Sequence, residues 1–138
     1  MQEASPCVRR CAIAWTQPKT DNARGIIASW LAQARQSGEA DIYPGKRQDA
    51  RYTWSVCLEV MARSGTGLES RFLATGRDVS EEGMGIFCWR RLEPGTVAWV
   101  RLPSKDEQSP WVPAKVKHST ATTGGYYTGV TFLFESNQ

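Results

Sequence analysis

Two short clusters of side chains hold the chemistry this sequence offers. The first is Lys46-Arg47-Gln48-Asp49-Ala50-Arg51; the second is Asp78-Val79-Ser80-Glu81-Glu82-Gly83. An arginine fork binds a phosphate, or the O6/N7 edge of guanine, through two parallel hydrogen bonds. Arg47 and Arg51, four positions apart in a polar stretch, are spaced to grip both kinds of group, and guanidinium planes also stack on purines. The other guanine edge, N1–H and N2–H2, presents donors, for which an ionised Asp78 is an acceptor-only partner. Ser80 can donate to a phosphate or accept from the exocyclic amine, and Gly83 permits a positive φ or a close approach of backbone to ligand. Lys46 adds a cation beside the pair, as a phosphate contact or as solvated charge. The set complements a guanine carrying a phosphate, and it holds neither a nucleophile–base pair nor a metal cage.

Taken singly, each cluster has a plainer reading. Arginines in a polar linker are usually solvated charge. Asp, Ser and Gly are ordinary turn residues, because Asp and Ser bond the nearby backbone and Gly takes left-handed conformations. Glu81-Glu82 reads as a pair of solvated turn carboxylates, and Arg9-Arg10 and Arg90-Arg91 as surface charge. Four cysteines (Cys7, Cys11, Cys57, Cys88) and one histidine (His118) limit metal and redox chemistry. A closed zinc site takes four ligands, usually as two close pairs, and Cys57, Cys88 and His118 are scattered. A thiol nucleophile needs a positioned base, and no local motif ties His118 to a cysteine. Cys57 and Cys88 are expected in strands, where a buried thiol behaves as a small hydrophobe. His118, on a strand rich in Lys, is expected at the surface. Neither catalytic residues nor a cofactor is expected.

The surrounding elements must position these residues. Residues 1–20 read as irregular, with Pro6 and Pro18 as breakers. Over 21–38, Ile26, Ile27, Trp30, Leu31 and Ala34 recur at helical spacing after a Thr20 or Asp21 cap, despite Gly25, which costs about 1 kcal/mol relative to Ala. That apolar stripe needs cover, either its own domain or a partner. A polar connector, 39–51, follows. From 52 the period becomes two: Tyr52, Trp54, Val56, Leu58, Val60 and Ala62 on one face, Thr53, Ser55, Cys57, Glu59 and Met61 on the other. Further runs at 69–77, 83–88, 96–102, 111–119 and 126–134, punctuated by Leu92-Glu93-Pro94-Gly95 and Thr123-Gly124-Gly125, make about six strands with no helix between them. That pattern is an antiparallel sandwich or barrel, and a closed barrel removes exposed edges. Trp54 and Trp99 are expected in the core; Trp89 and Trp111 lie at strand ends, where either can be exposed.

The two clusters, in this order and at this spacing, resemble the signatures of the PilZ domain family: RxxxR at Arg47 and Arg51, and (D/N)xSxxG at Asp78, Ser80 and Gly83. The continuation Met84-Gly85-Ile86-Phe87, the Leu92-Glu93-Pro94-Gly95 turn and the closing Gly129-Val130-Thr131-Phe132 are similar too, so the resemblance covers roughly 46–134. It implies a mainly β fold, a six-stranded antiparallel split barrel over 52–134, here with an N-terminal helix and a short tail at 135–138. Many family members carry a helix after the last strand; this chain carries its candidate helix before the barrel. The resemblance further implies a receptor without catalysis that binds the bacterial second messenger cyclic di-GMP through Arg47, Arg51, Asp78, Ser80 and Gly83, with Lys46 beside them.

Composition bounds the alternatives. The chain has 138 residues, 41% of them hydrophobic and 22% charged, which suits one globular domain. A net charge of +3 is too small to announce a duplex nucleic-acid binder. No run approaches the ~18 apolar residues of a membrane span. Glu3 and Pro6 stand where a signal peptide needs basic and then apolar residues, so a cytoplasmic location is expected. The competing functions are an interaction module of the same fold that binds no nucleotide, a barrel that binds single-stranded nucleic acid, and a flavin-type enzyme. The intact signature residues argue against the first, the interspersed acids against the second, and the lack of any cofactor motif against the third. A downstream protein partner is expected for a receptor.

Overall fold

The computed structural model describes residues 22–37, 51–63, 69–105 and 108–133. Lys46, Arg47 and most of the connector lie outside them, as do Thr20 and Asp21. The helical periodicity becomes α1 (Ala23–Ser37). Its cap is Asn22 rather than an earlier residue: the Gly25 N–H donates to Asn22 Oδ1 at 3.2 Å, and the Ile26 N–H to the Asn22 carbonyl at 3.0 Å. Gly25 fits this cap, since a Cβ there would collide with the folded-back Asn22 side chain.

Seven strands follow: β1 (Tyr52–Thr53), β2 (Cys57–Arg63), β3 (Glu69–Val79), β4 (Gly83–Cys88), β5 (Val97–Arg101), β6 (Val112–Thr122) and β7 (Gly125–Phe132). All neighbours are antiparallel, in the order β1-β3-β2-β5-β6-β7-β4, and β4 returns to pair with β3. Six strands therefore close into a barrel, and β1 is one extra short strand on the same edge of β3 as β2, in line with it. The period-two run from 52 is thus two strands rather than one. It breaks at 54–56, where Trp54 donates its N–H to the Arg77 carbonyl at 2.8 Å and Val56 accepts from Gly76 at 2.6 Å. Gly95 and Gly124 are the described glycines with positive φ (92° and 87°), and both sit in the turns that their sequence context marks.

One core fills the barrel and continues into the helix. Leu58, Val60, Val79, Met84, Ile86, Val100, Val112, Val116 and Phe132 pack with Ile27, Trp30, Leu31 and Ala34 of α1. The helix rests against β1, β3 and β6, with Trp30 stacked obliquely on Trp54 (5.6 Å between centroids) and edge-on to Phe132 (6.2 Å). The apolar stripe therefore covers its own barrel. Met61, Trp99 and Trp111 form a smaller cluster on the outer face of β2 and β5. Arg101 lies over the Trp111 ring at 4.2 Å and bonds Glu59 at 2.8 Å, so Trp111 is buried and Trp99 belongs to this satellite.

Cys88 is buried, and burial pushes its thiol up, against a weaker opposing hydrogen bond from Thr128 and the charge of Arg90. Cys57, in contrast, is exposed. It faces outward on β2, so it is not the core hydrophobe expected of a strand cysteine. No described helix is long and apolar enough to cross a membrane.

Because Trp30 is fully buried between barrel and helix, Trp30→Ala should lose about 3–5 kcal/mol of unfolding free energy in urea titration. A loss below about 1 kcal/mol would show that the helix contributes little to the folded barrel.

Candidate functional site

The second cluster folds as the end of the β3–β4 hairpin. Val79 pairs with Met84 and Asp78 with Gly85, and the turn between them is held by Ser80. Ser80 is fully buried. Its Oγ accepts from the backbone N–H groups of Glu82 and Gly83, both at 3.2 Å, and lies 3.3 Å from the Gly83 carbonyl, to which it donates. Its hydrogen-bonding capacity is therefore spent within the turn. Gly83 is not a positive-φ residue. A Cβ there would run into the Val130 carbonyl of the neighbouring β7, so close strand approach is what requires glycine. Glu81 and Glu82 are exposed.

Asp78 links three pieces of chain. Its Oδ1 accepts from the Gly85 N–H at 3.1 Å and from Arg51 Nη1 at 2.6 Å. Thr53 of β1 pairs with it along the backbone. Arg51 and Asp78, from the two separate motifs, are thus brought together in one ion pair with side chains 20% and 17% exposed. Arg51 Nε is buried and finds no hydrogen-bond partner among the described residues, so this guanidinium is only partly satisfied. Lys46 and Arg47 fall outside the described residues.

Beside this pair lies a notch that sequence reasoning did not identify. Thr53, Asp78, Gly85, Gly129 and His118 occupy one register level across β1, β3, β4, β7 and β6. Two of these positions, Gly85 and Gly129, are glycines, and neighbouring rings take the space their side chains would fill. Tyr127 leans over Gly85 and His118 over Gly129, close enough that a Cβ at either glycine would strike the ring. The two rings lie 5.7 Å apart. The ladder slips by one residue at Arg77 in β3 and again at Lys117 in β6. Such bulges re-aim side chains. Arg77 lies over the rings of Tyr127 (4.9 Å) and Phe87 (5.6 Å), and Lys117 lines the notch with Arg51, Glu82, His118 and Tyr127. The enclosed volume is about 160 Å³. Such a space takes a phosphate or the edge of a base, and anything larger must extend over the open sheet face.

Chemically the notch is lined by cations (Arg51, Lys117), flat rings (Tyr127, His118) and the Glu82 carboxylate, with Asp78 beside it through Arg51 and Arg77 beside it through Tyr127. Those are the groups that hold an anion attached to a planar heterocycle. The available signal was the pair of glycines inside strand patterns: Gly85 and Gly129 were visible, and glycine in a strand interior marks a bulge or a close approach. His118, expected and found at the surface, acquires its interest only from its partner across the ladder.

A family model described as the PilZ domain matches residues 45–138 of the chain. None of the curated proteins compared with the chain matches it.

Since the Ser80 hydroxyl serves two backbone donors at once, Ser80→Ala should cost about 1–3 kcal/mol of stability. Thermal unfolding followed by circular dichroism measures this. An unchanged midpoint would mean that the turn holds without the hydroxyl.

Proposed function

From the membership of this chain in the PilZ domain family, a family generally known as cyclic di-GMP receptors, we propose that the protein binds cyclic di-GMP and passes the event to its N-terminal helix. The observation that carries the reading is the meeting of Arg51 and Asp78 from the two motifs at the edge of the notch. The ligand supplies two phosphodiesters and two guanines. Arg51, joined by Arg47 and Lys46 of the connector, answers the phosphates or the O6/N7 edge of a guanine. Asp78 answers N1–H and N2–H2 once Arg51 has turned toward the ligand. Ser80 and Gly83 act by holding the turn that aims Asp78. PilZ domains are generally receptors rather than enzymes, and the assigned roles here are all binding roles. A receptor for this messenger works in the bacterial cytoplasm, where the messenger is found.

The route to the helix is short. Arg51 is followed directly by Tyr52 and Thr53 of β1, and Trp54 stacks on Trp30 of α1. Arg35 near the end of α1 lies over the Tyr52 ring at 5.5 Å. A ligand that draws Arg51 away from Asp78 shifts the residues on which the helix rests. The extent of the shift is limited by how much better the ligand binds the rearranged state.

One observation favours a second reading. Arg51 and Asp78 already pair with each other and Ser80 with the turn backbone, as they would in an interaction module that binds no nucleotide. Calorimetric titration with cyclic di-GMP and, separately, GTP divides the two. The receptor reading predicts selective binding of about 8 kcal/mol or more, equivalent to micromolar affinity. It also predicts a roughly 5–150-fold loss on Arg47→Ala or Arg51→Ala, since a bidentate arginine contact is worth about 1–3 kcal/mol. Heat-silent mixing at high protein concentration would favour the interaction module, and binding by both variants within about twofold of the parent would overturn the assignment of Arg47 and Arg51 to the site.

A further inference from the structure

The outer face of β3 and β4, beyond the notch, carries an apolar groove with a cationic rim. Leu73 is 60% exposed, Phe87 38% and Trp89 67%. They are neighbours: Thr75 pairs with Phe87, which sets Leu73 level with Trp89 just past the end of β4. Trp89 is held in place, its ring edge-on to Phe72 at 6.2 Å. With the tip of the β6–β7 hairpin, these side chains enclose about 460 Å³. Contiguous exposed aromatics of this kind mark interaction sites, and aromatic and arginine side chains dominate binding energy where they occur.

The rim decides the occupant. Arg77 sits over Phe87 and Tyr127, and Arg90 over Phe72 at 5.5 Å with Ser70 Oγ at 2.7 Å. Neither guanidinium has a carboxylate within ion-pair distance among the described residues. Two cations held over aromatic rings at the edge of an apolar groove complement acidic side chains set beside apolar anchors. A second copy of this chain fits poorly, because a two-fold contact sets the Arg77 and Arg90 rim against itself, and like charges across an interface are strongly unfavourable. Residues 1–20, with Arg9, Arg10 and Lys19 against Glu3 alone, carry the same sign as the rim. Along the groove β4 is hydrogen-bonded on both sides, to β3 and to β7, so a partner adds no strand to it.

We infer that the Leu73–Phe87–Trp89 groove docks a protein partner through an acidic segment bearing large apolar or aromatic anchors. The inference stands on this surface and needs no nucleotide. It meets the proposed receptor site at Arg77 and Tyr127, the latter lining the notch.

The test is selection of a random peptide library on the full chain without nucleotide, followed by affinity measurement of individual clones. Sedimentation of the parent runs alongside. Enriched clones should combine Trp, Phe or Leu with Asp or Glu. They should bind the parent and lose roughly thirtyfold or more against Leu73→Ser/Trp89→Ser, as hot-spot anchors do. The double change lies on exposed side chains, and circular dichroism verifies its fold. No enrichment, enrichment of basic sequences, or undiminished binding to the variant overturns the inference. So does a dimer that the double change dissociates, which would make a second copy the occupant. Cyclic di-GMP titration is a separate measurement, so either reading can fail alone.

Discussion

The barrel is closed by one hairpin. β3 and β4 are joined through residues 80–82, and their pairing links the two ends of a sheet that would otherwise lie open. That short turn is secured by the buried Ser80, and the hairpin by the Asp78 carboxylate that spans it to Gly85. β1 adds to the same end of β3, the helix rests on β1, and the notch is lined by Gly83 and Met84 at the start of β4. Remove this closure, and both the exposed edges and the site's geometry return to an open sheet. The signature residues are thus components of the fold before they are components of a site.

This double duty explains how a structural motif can also be responsive. The Arg51–Asp78 pair is short but only partly buried, and pairs of this kind contribute modestly to stability because solvent screens them and ordering long side chains costs entropy. Arg51 can therefore exchange a carboxylate for a phosphate at small net cost. Ser80, by contrast, is fully buried and bonded to the backbone, so it holds the turn whatever partner Arg51 takes. Rigidity and adjustability sit two positions apart in one sequence motif.

The barrel class was legible because period-two patterning and turn residues are local signals: the strands expected at 83–88, 96–102 and 126–134 fall within a residue or two of those found. The six-stranded barrel with its N-terminal helix is likewise what the chain forms. The interruption at 54–56 was not legible, since it depends on hydrogen bonds to β3 from residues whose alternation continues unbroken. The helix cap was misplaced by one or two residues because Thr, Asp and Asn all cap well, and Asn22 prevails through the space left by Gly25. Of the candidate site, Arg51, Asp78, Ser80 and Gly83 were singled out by their types, and Lys46 and Arg47 lie outside the described residues. The notch was not legible. It is made by register, two bulges and two glycines that meet only when β4 lies beside β7. Cys57 and Trp111 were ambiguous for a related reason, since a barrel's outer face can be bare or carry a satellite cluster.

Ligand binding at the notch that Arg51 and His118 line is the step on which the proposed receptor role turns. Its most direct test is a heteronuclear NMR titration of the isotopically labelled chain with cyclic di-GMP. The backbone amides of Gly85 and Gly129 and the Arg51 side chain should shift together, saturating at one ligand concentration with the Trp30 and Trp54 indole signals. Shifts confined to the opposite Trp99–Trp111 face, or a saturating ligand that leaves Gly85 and Gly129 unmoved, would contradict it.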